Sequence, residues 1–224
     1  MRAALLTLVS CCSLFSAEGV FSVFPLQVGN QWTYEHEDRS GDRSHPQISR
    51  WITVTTVRGH ATVPEGTVIL RDTTVVEGRP NGGWIGEHGS FHYLLRQNCI
   101  YFLDRQEWDE SAKRLRDDFR GMLLRGQIAP DLCFPLEPGK HWRGNADHCS
   151  EWFMQGVGRE GTAAFVPDSA EAPDFHLFSP QACGGETGHR WFRSGTGITG
   201  EWFWHNGTYG ELRVRLMKFK RAAE

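Results

Sequence analysis

The residues best equipped for chemistry cluster near the C-terminus, in a run from Glu201 to Arg215 that mixes tryptophan, tyrosine, glutamate and arginine. Asn206-Gly207 at its centre is the preferred dipeptide of a two-residue type I′ hairpin loop, and strand-like runs over 198–205 and 208–219 flank it. Such a loop pairs His205 with Thr208, Trp204 with Tyr209, Trp202 with Glu211 and Glu201 with Leu212. Strand alternation then sends Phe203, Leu212, Val214 and Leu216 to one face, which reads as core. The other face carries Trp202, Trp204, Tyr209, Glu211, Arg213 and Arg215. Aromatic planes suit sugars or lipid chains, and guanidinium groups suit an anion. Trp202, Trp204, Tyr209, Arg213 and Arg215 are therefore the candidate ligand-binding residues. The competing reading is a second core layer whose arginines reach out to water.

Other constellations offer less. The same alternation puts Glu201 and Glu211 on opposite faces, so this hairpin does not assemble the paired carboxylates of a glycosidase. Asp117 and Asp118 are adjacent on a predicted helix and point apart. Ser90 stands between His88 and His92, but no G-x-S-x-G elbow surrounds it. His88 and His92 are four apart without the H-E-x-x-H pattern, and a loop running into a strand accounts for them. The spacing G-x-G-x-x-G occurs over Gly156–Gly161 and again over Gly195–Gly200. Neither copy opens an amphipathic helix, as phosphate cradling requires, so both read as bends between strands. No catalytic residue, metal site or cofactor is assigned. Asn206-Gly207-Thr208 also fits a glycosylation sequon, although the turn already explains it.

The cysteines and the N-terminus speak to compartment. Arg2, an apolar run from Ala3 to Val9, and Ala17-Glu18-Gly19 resemble a signal peptide over 1–19, cleaved after Gly19. Leu8-Val9-Ser10-Cys11 offers a second possibility, lipid attachment at Cys11. Beyond that segment lie Cys99, Cys133, Cys149 and Cys183, an even set that predicts two disulfides in an oxidising compartment, with three connectivities open. No later stretch reaches the ~18 apolar residues of a membrane-spanning helix. A formal net charge of −3 gives no electrostatic case for nucleic acid.

These side chains need a frame, and the composition describes one. Nine tryptophans and 25 glycines suit aromatic strands joined by tight turns better than helices. Strand signals recur at 51–57, 67–76 and 91–103. The expected fold is mainly β and antiparallel, a strongly curved sheet or open barrel, with a two-sheet sandwich as the alternative. One exception is a helical stripe at Trp108, Ala112, Leu115, Phe119, Met122 and Leu123, which predicts an amphipathic helix over 107–125 able to plug or cover one end of the sheet. An internal echo divides the single domain. F-P-L-x-x-G-x-x-W spans Phe24–Trp32 and recurs over Phe134–Trp142, giving halves of about 24–133 and 134–224.

That repeated motif resembles exported bacterial β proteins of uncharacterised function. So do the closing runs W-F-x-x-G-x-G-x-x-x-E (Trp191 to Glu201) and H-N-G-T-Y-G-E (His205 to Glu211). The resemblance covers roughly forty residues in three patches, implies a periplasmic or surface location, and carries no catalytic residues with it. The leading functional expectation is a non-enzymatic exported or envelope protein. It would bind an amphipathic or apolar ligand, or a protein partner, on a concave β surface. The alternatives are a carbohydrate-binding or carbohydrate-active protein using the tryptophan-rich face, and a structural envelope component. Oligomeric state is not legible.

Overall fold

A computed structural model describes residues 17–80, 92–104, 106–144, 150–156, 174–182, 186–205 and 210–223. A short helix, α1 (Ala17–Val23), leads into β1 (Gln31–Asp42), β2 (His45–Val63), β3 (Gly66–Gly78), β4 (His92–Arg96) and β5 (Cys99–Leu103). A small hairpin follows, β6 (Trp108–Asp109) and β7 (Arg114–Leu115), then helix α2 (Asp117–Leu124) and edge strand β8 (Leu132–Cys133). The second half is β9 (His141–Gly144), β10 (Ser150–Gly156), β11 (Phe175–Ala182), β12 (Glu186–Arg193), β13 (Gly197–His205) and β14 (Gly210–Lys220). The expected cleavage point after Gly19 falls inside α1, immediately before the buried Val20.

Twelve of these strands form one antiparallel sheet, nearly closed into a barrel, in the order β8-β5-β4-β3-β2-β1-β14-β13-β12-β11-β10-β9. The chain starts in the middle of the sheet, runs to one edge, crosses to the other and returns to pair β14 with β1. Curvature follows from chain length. A flat twelve-stranded sheet is about 53 Å wide at ~4.8 Å per strand. The two edges are joined only by residues 134–140, which reach at most about 28 Å. The sheet must therefore curl until its edges approach. Side chains confirm it, because the Arg190 guanidinium of β12 lies 5.3 Å from the Phe102 ring of β5, seven strands away in the sheet order.

Both copies of the F-P-L-x-x-G-x-x-W motif build the same local structure. Gly29 and Gly139 adopt φ of 90° and 89°. Asn30 N–H donates to the Gln27 carbonyl and Lys140 N–H to that of Glu137, both at 3.1 Å. A strand then begins, and its second residue, Trp32 or Trp142, is buried. The first copy closes one end of the barrel. Val20, Phe24 and Leu26 pack with Trp32, Tyr93 and Ile198, while Trp32 Nε1 donates to the Thr196 carbonyl at 2.6 Å. The second copy spans the gap between the two edges, with Phe134 and Leu136 buried in the same core.

Two expectations change here. The stripe over 107–125 is not one helix: its first part is the β6–β7 hairpin, and α2 covers only its end. Asp109 is the reason. Its Oδ1 accepts the N–H groups of Ser111 and Ala112 and the Ser111 hydroxyl, and Lys113 takes φ of 48°, so the chain reverses before a helix can propagate. Nor does the segment plug an end. Trp108, Leu115, Phe119 and Leu123 pack on the outer face of β3 to β5, against Val68, Leu94 and Leu103.

The terminal hairpin also has a different register. Trp202 pairs with Arg213, Phe203 with Leu212, Trp204 with Glu211, and pairing ends at His205 and Gly210. The Asn206-Gly207 loop and Tyr209 lie outside the described residues. The register is two residues from the expected one, and because side chains alternate with period two, every face assignment survives the shift.

Candidate functional site

Inside the curled sheet lies a cavity of about 420 Å³. Each wall residue is the inward member of an alternating strand. Trp32, Tyr34 and His36 come from β1, Thr53 and Thr55 from β2, and Arg71 and Thr73 from β3. Tyr93 and Phe102 close one side, and Arg190, Glu201, Phe203, Leu212 and Val214 the other. Phe24 and Leu26 of the first motif copy floor it. Much of this wall is aromatic or aliphatic, and a cavity of this size lies in the lower part of the ~300–1,000 Å³ range of small-molecule sites.

Most polar groups of the wall are matched to one another or to the backbone. His36 Nε2 meets Thr53 Oγ1 at 2.8 Å, and the ring stacks on Trp51 at 4.9 Å. The hydroxyls of Thr55 and Thr73 meet at 2.9 Å, and the Tyr34 hydroxyl donates to the Ile198 carbonyl at 3.1 Å. Arg190 donates to Glu201 at 2.6 Å across neighbouring strands. Arg71 differs. Its guanidinium lies 3.5 Å from the Tyr93 ring centroid, and its Nε is enclosed with no hydrogen-bond partner. Burial lowers the Arg71 pKa and raises those of Tyr34 and Tyr93, so both tyrosines stay neutral beside it.

The predicted ligand residues stand on the other side of the sheet. Trp202 and Arg213 both reach Glu211, with Trp202 Nε1 donating at 2.8 Å and Arg213 Nε at 2.7 Å. Arg215 pairs with Glu35. Trp204 lies on the same face with the Arg43 guanidinium 5.8 Å from its ring, and Tyr209 lies outside the described residues. Glu201 and Glu211 do point to opposite faces, one into the cavity and one onto the outer surface. The cavity wall is thus built from the hairpin face that reads as core in the sequence. An inward strand residue carries the same apolar signature whether it meets another side chain or empty space. Arg71 and Arg190 are charged residues inside strands, a type that rarely lines a buried chamber, so nothing in their sequence marked them as wall residues.

The remaining motifs resolve as structure. His92 is buried on the outer face of β4, accepting the Arg71 N–H at Nδ1 and facing Glu110 at 3.2 Å through Nε2. His88 and Ser90 lie outside the described residues. Gly195 and Gly197, with φ of 72° and 89°, form the turn between β12 and β13, while residues 157–161 of the other glycine motif are not described. Cys99 and Cys133 form a disulfide that ties β8 to β5. Cys149 and Cys183 lie outside the described residues. Among the described residues no cluster of three or more His, Cys, Asp or Glu is arranged to hold a metal, and no helix is long and apolar enough to cross a membrane.

No protein-family model and no curated protein matches the sequence. Among solved structures, the chain is similar to an exported protein with a YmcC-like fold from Bacteroides fragilis, at 13% identity and TM-score 0.42, over 89% of this chain and 99% of that one. It is also similar to a lipoprotein from Parabacteroides distasonis, at 10% identity and TM-score 0.40, over 88% and 97%. A LolA superfamily protein from Nitrosomonas europaea matches at 11% identity and TM-score 0.27, over 92% and 91%. At this distance none of them assigns this chain a ligand or a residue role.

Proposed function

We propose that this chain is an exported, non-enzymatic binding protein that holds one apolar or amphipathic small molecule inside its curled sheet. The observation that carries the reading is the cavity of about 420 Å³, walled by aromatic and aliphatic side chains drawn from both halves of the chain. Export is supported by the Cys99–Cys133 disulfide, a bond characteristic of oxidising compartments, and by the signal-like segment over 1–19. The neutral dye N-phenylnaphthylamine tests the cavity, because its fluorescence rises on entering an apolar site. Saturable binding at one molecule per chain is expected, weakened about tenfold by Val214→Phe, which fills the cavity from β14. A flat titration in the wild type, or equal affinity in the variant, would sink the reading.

A second reading rests on the outer face. Trp202 and Trp204 are only half-buried there, beside Arg213 and Arg215, and present aromatic planes and charge to a carbohydrate or a protein partner. It predicts quenching of tryptophan fluorescence by polysaccharides in the wild type that disappears in Trp202→Ala and Trp204→Ala. No spectral change in the wild type rules it out.

A further inference from the structure

The cavity wall is not electrically balanced. Its Asp, Glu, Lys and Arg side chains are Arg71, Arg190 and Glu201. Arg190 and Glu201 neutralise one another at 2.6 Å, with the Arg190 guanidinium further held 4.9 Å from the Trp152 ring. Arg71 also faces Glu201 and hydrogen-bonds the Tyr93 side chain, so two guanidinium groups share the one carboxylate that lines the chamber, while Asp131, outside the lining, acts on Arg190 as well. The Arg71 neighbours Tyr34 and Tyr93 do not supply a second negative charge, since burial keeps both protonated. The Tyr93 side chain offers the guanidinium a cation–π contact and a hydrogen bond, but the enclosed Nε has no acceptor. Burying two guanidinium groups with one shared carboxylate between them is costly, and a ligand that brings a second anion recovers part of that cost on binding.

We infer that the cavity selects a single-chain amphiphile with one negative charge, a carboxylate engaging the Arg71 guanidinium and an apolar tail lying against Phe203, Leu212 and Val214. This rests on the binding reading above and deepens it. A planar fork of donors matches a carboxylate in two-point geometry. The charge count favours a monoanion over a phosphate monoester, which carries closer to two charges. The aliphatic residues of β14 sit beyond Tyr34 from Arg71, so head and tail have separate walls.

The full chain, freed of bound lipid, would be titrated calorimetrically with dodecanoate, dodecanol and dodecyl phosphate, in the wild type, Arg71→Met and Arg71→Lys. The expected result is dodecanoate binding about tenfold or more tighter than dodecanol. Arg71→Met should abolish that preference by weakening dodecanoate about tenfold or more, and Arg71→Lys should restore part of it. Equal binding of dodecanoate and dodecanol by the wild type overturns the anionic head group and leaves the apolar cavity standing. This comparison needs no variant to fold. Tighter binding of dodecyl phosphate than dodecanoate overturns the single-charge assignment. Failure of all three ligands and of the neutral dye overturns the cavity reading itself.

Discussion

At the scale of single residues, one buried pair has a definite pH signature. His176 and His189 stack at 5.2 Å on the outer face, with Nε2 of one 3.0 Å from Nδ1 of the other, between Trp191 and Trp202. A hydrogen bond between two imidazoles needs one donor and one acceptor, so at least one ring is neutral. Both pKa values are lowered to about 4, by burial in each case and, for His189, also by the charge of a protonated His176. An unfolded histidine titrates near 6.5, so between about 6.5 and 4 the unfolded chain binds more protons than the folded one. Stability therefore falls as pH drops through that window and levels off below it, by on the order of 3 kcal/mol for the first proton. Thermal melts between neutral pH and pH ~4.5 should show a fall in Tm of roughly 6–12 °C in the wild type. The double variant His176→Gln, His189→Gln should start lower and lose most of that slope. Parallel profiles for the two proteins would show that acid acts elsewhere.

At the scale of elements, the two motif copies are a natural comparison because they share a turn and differ in surroundings. Gly29 and Gly139 both need φ near 90°, where a Cβ costs about 1–2 kcal/mol. A Cβ on Gly139 meets nothing within 4 Å, whereas one on Gly29 would sit 2.9 Å from Cβ of Ala222. Ala222 is held by its N–H donating to Asn30 Oδ1 at 2.7 Å, so the first copy also secures the C-terminal segment. Gly139→Ala should cost about 1–2 kcal/mol in urea denaturation, and Gly29→Ala at least ~1 kcal/mol more. Equal costs would mean that the C-terminal segment yields freely. The 107–125 stripe shows why an element can be half legible. Its apolar positions name the buried side chains Trp108, Leu115, Phe119 and Leu123 correctly. The local competition from the Asp109 turn decides between hairpin and helix, and a periodicity of apolar residues does not register a side chain bonding its own backbone.

At the scale of the whole molecule, closure depends on an edge held by little. β8 pairs with β5 through only Cys99↔Cys133 and Ile100↔Leu132, and the disulfide closes a loop of sequence separation 34 at that point. Removing it in Cys99→Ser, Cys133→Ser should cost about 3–4 kcal/mol by loop entropy. Hydrogen exchange should quicken first around Leu132 and Phe134, where the barrel seam lies. Unchanged exchange there, with stability lost uniformly, would place the disulfide's effect in the unfolded chain alone.

Local and periodic features were legible in the sequence: antiparallel β character, the repeated turn-and-tryptophan motif and the two faces of β13 and β14, whereas Cys99 and Cys133 stood among four disulfide candidates and their pairing came from the fold. Side-chain alternation is intrinsic to a strand, so the faces held even when the hairpin register moved by two residues. The tertiary structure decided which face of that hairpin borders a cavity. Curling brings β5 within reach of β12 and turns the aliphatic face inward, leaving Trp202 and Arg213 outside. It also decided that Arg71 and Arg190 share a chamber with one carboxylate between them, because residues 119 positions apart meet only through closure of the sheet. Closure is a property of the whole sheet's twist and of a short link between its edges, and no window of neighbouring residues encodes it.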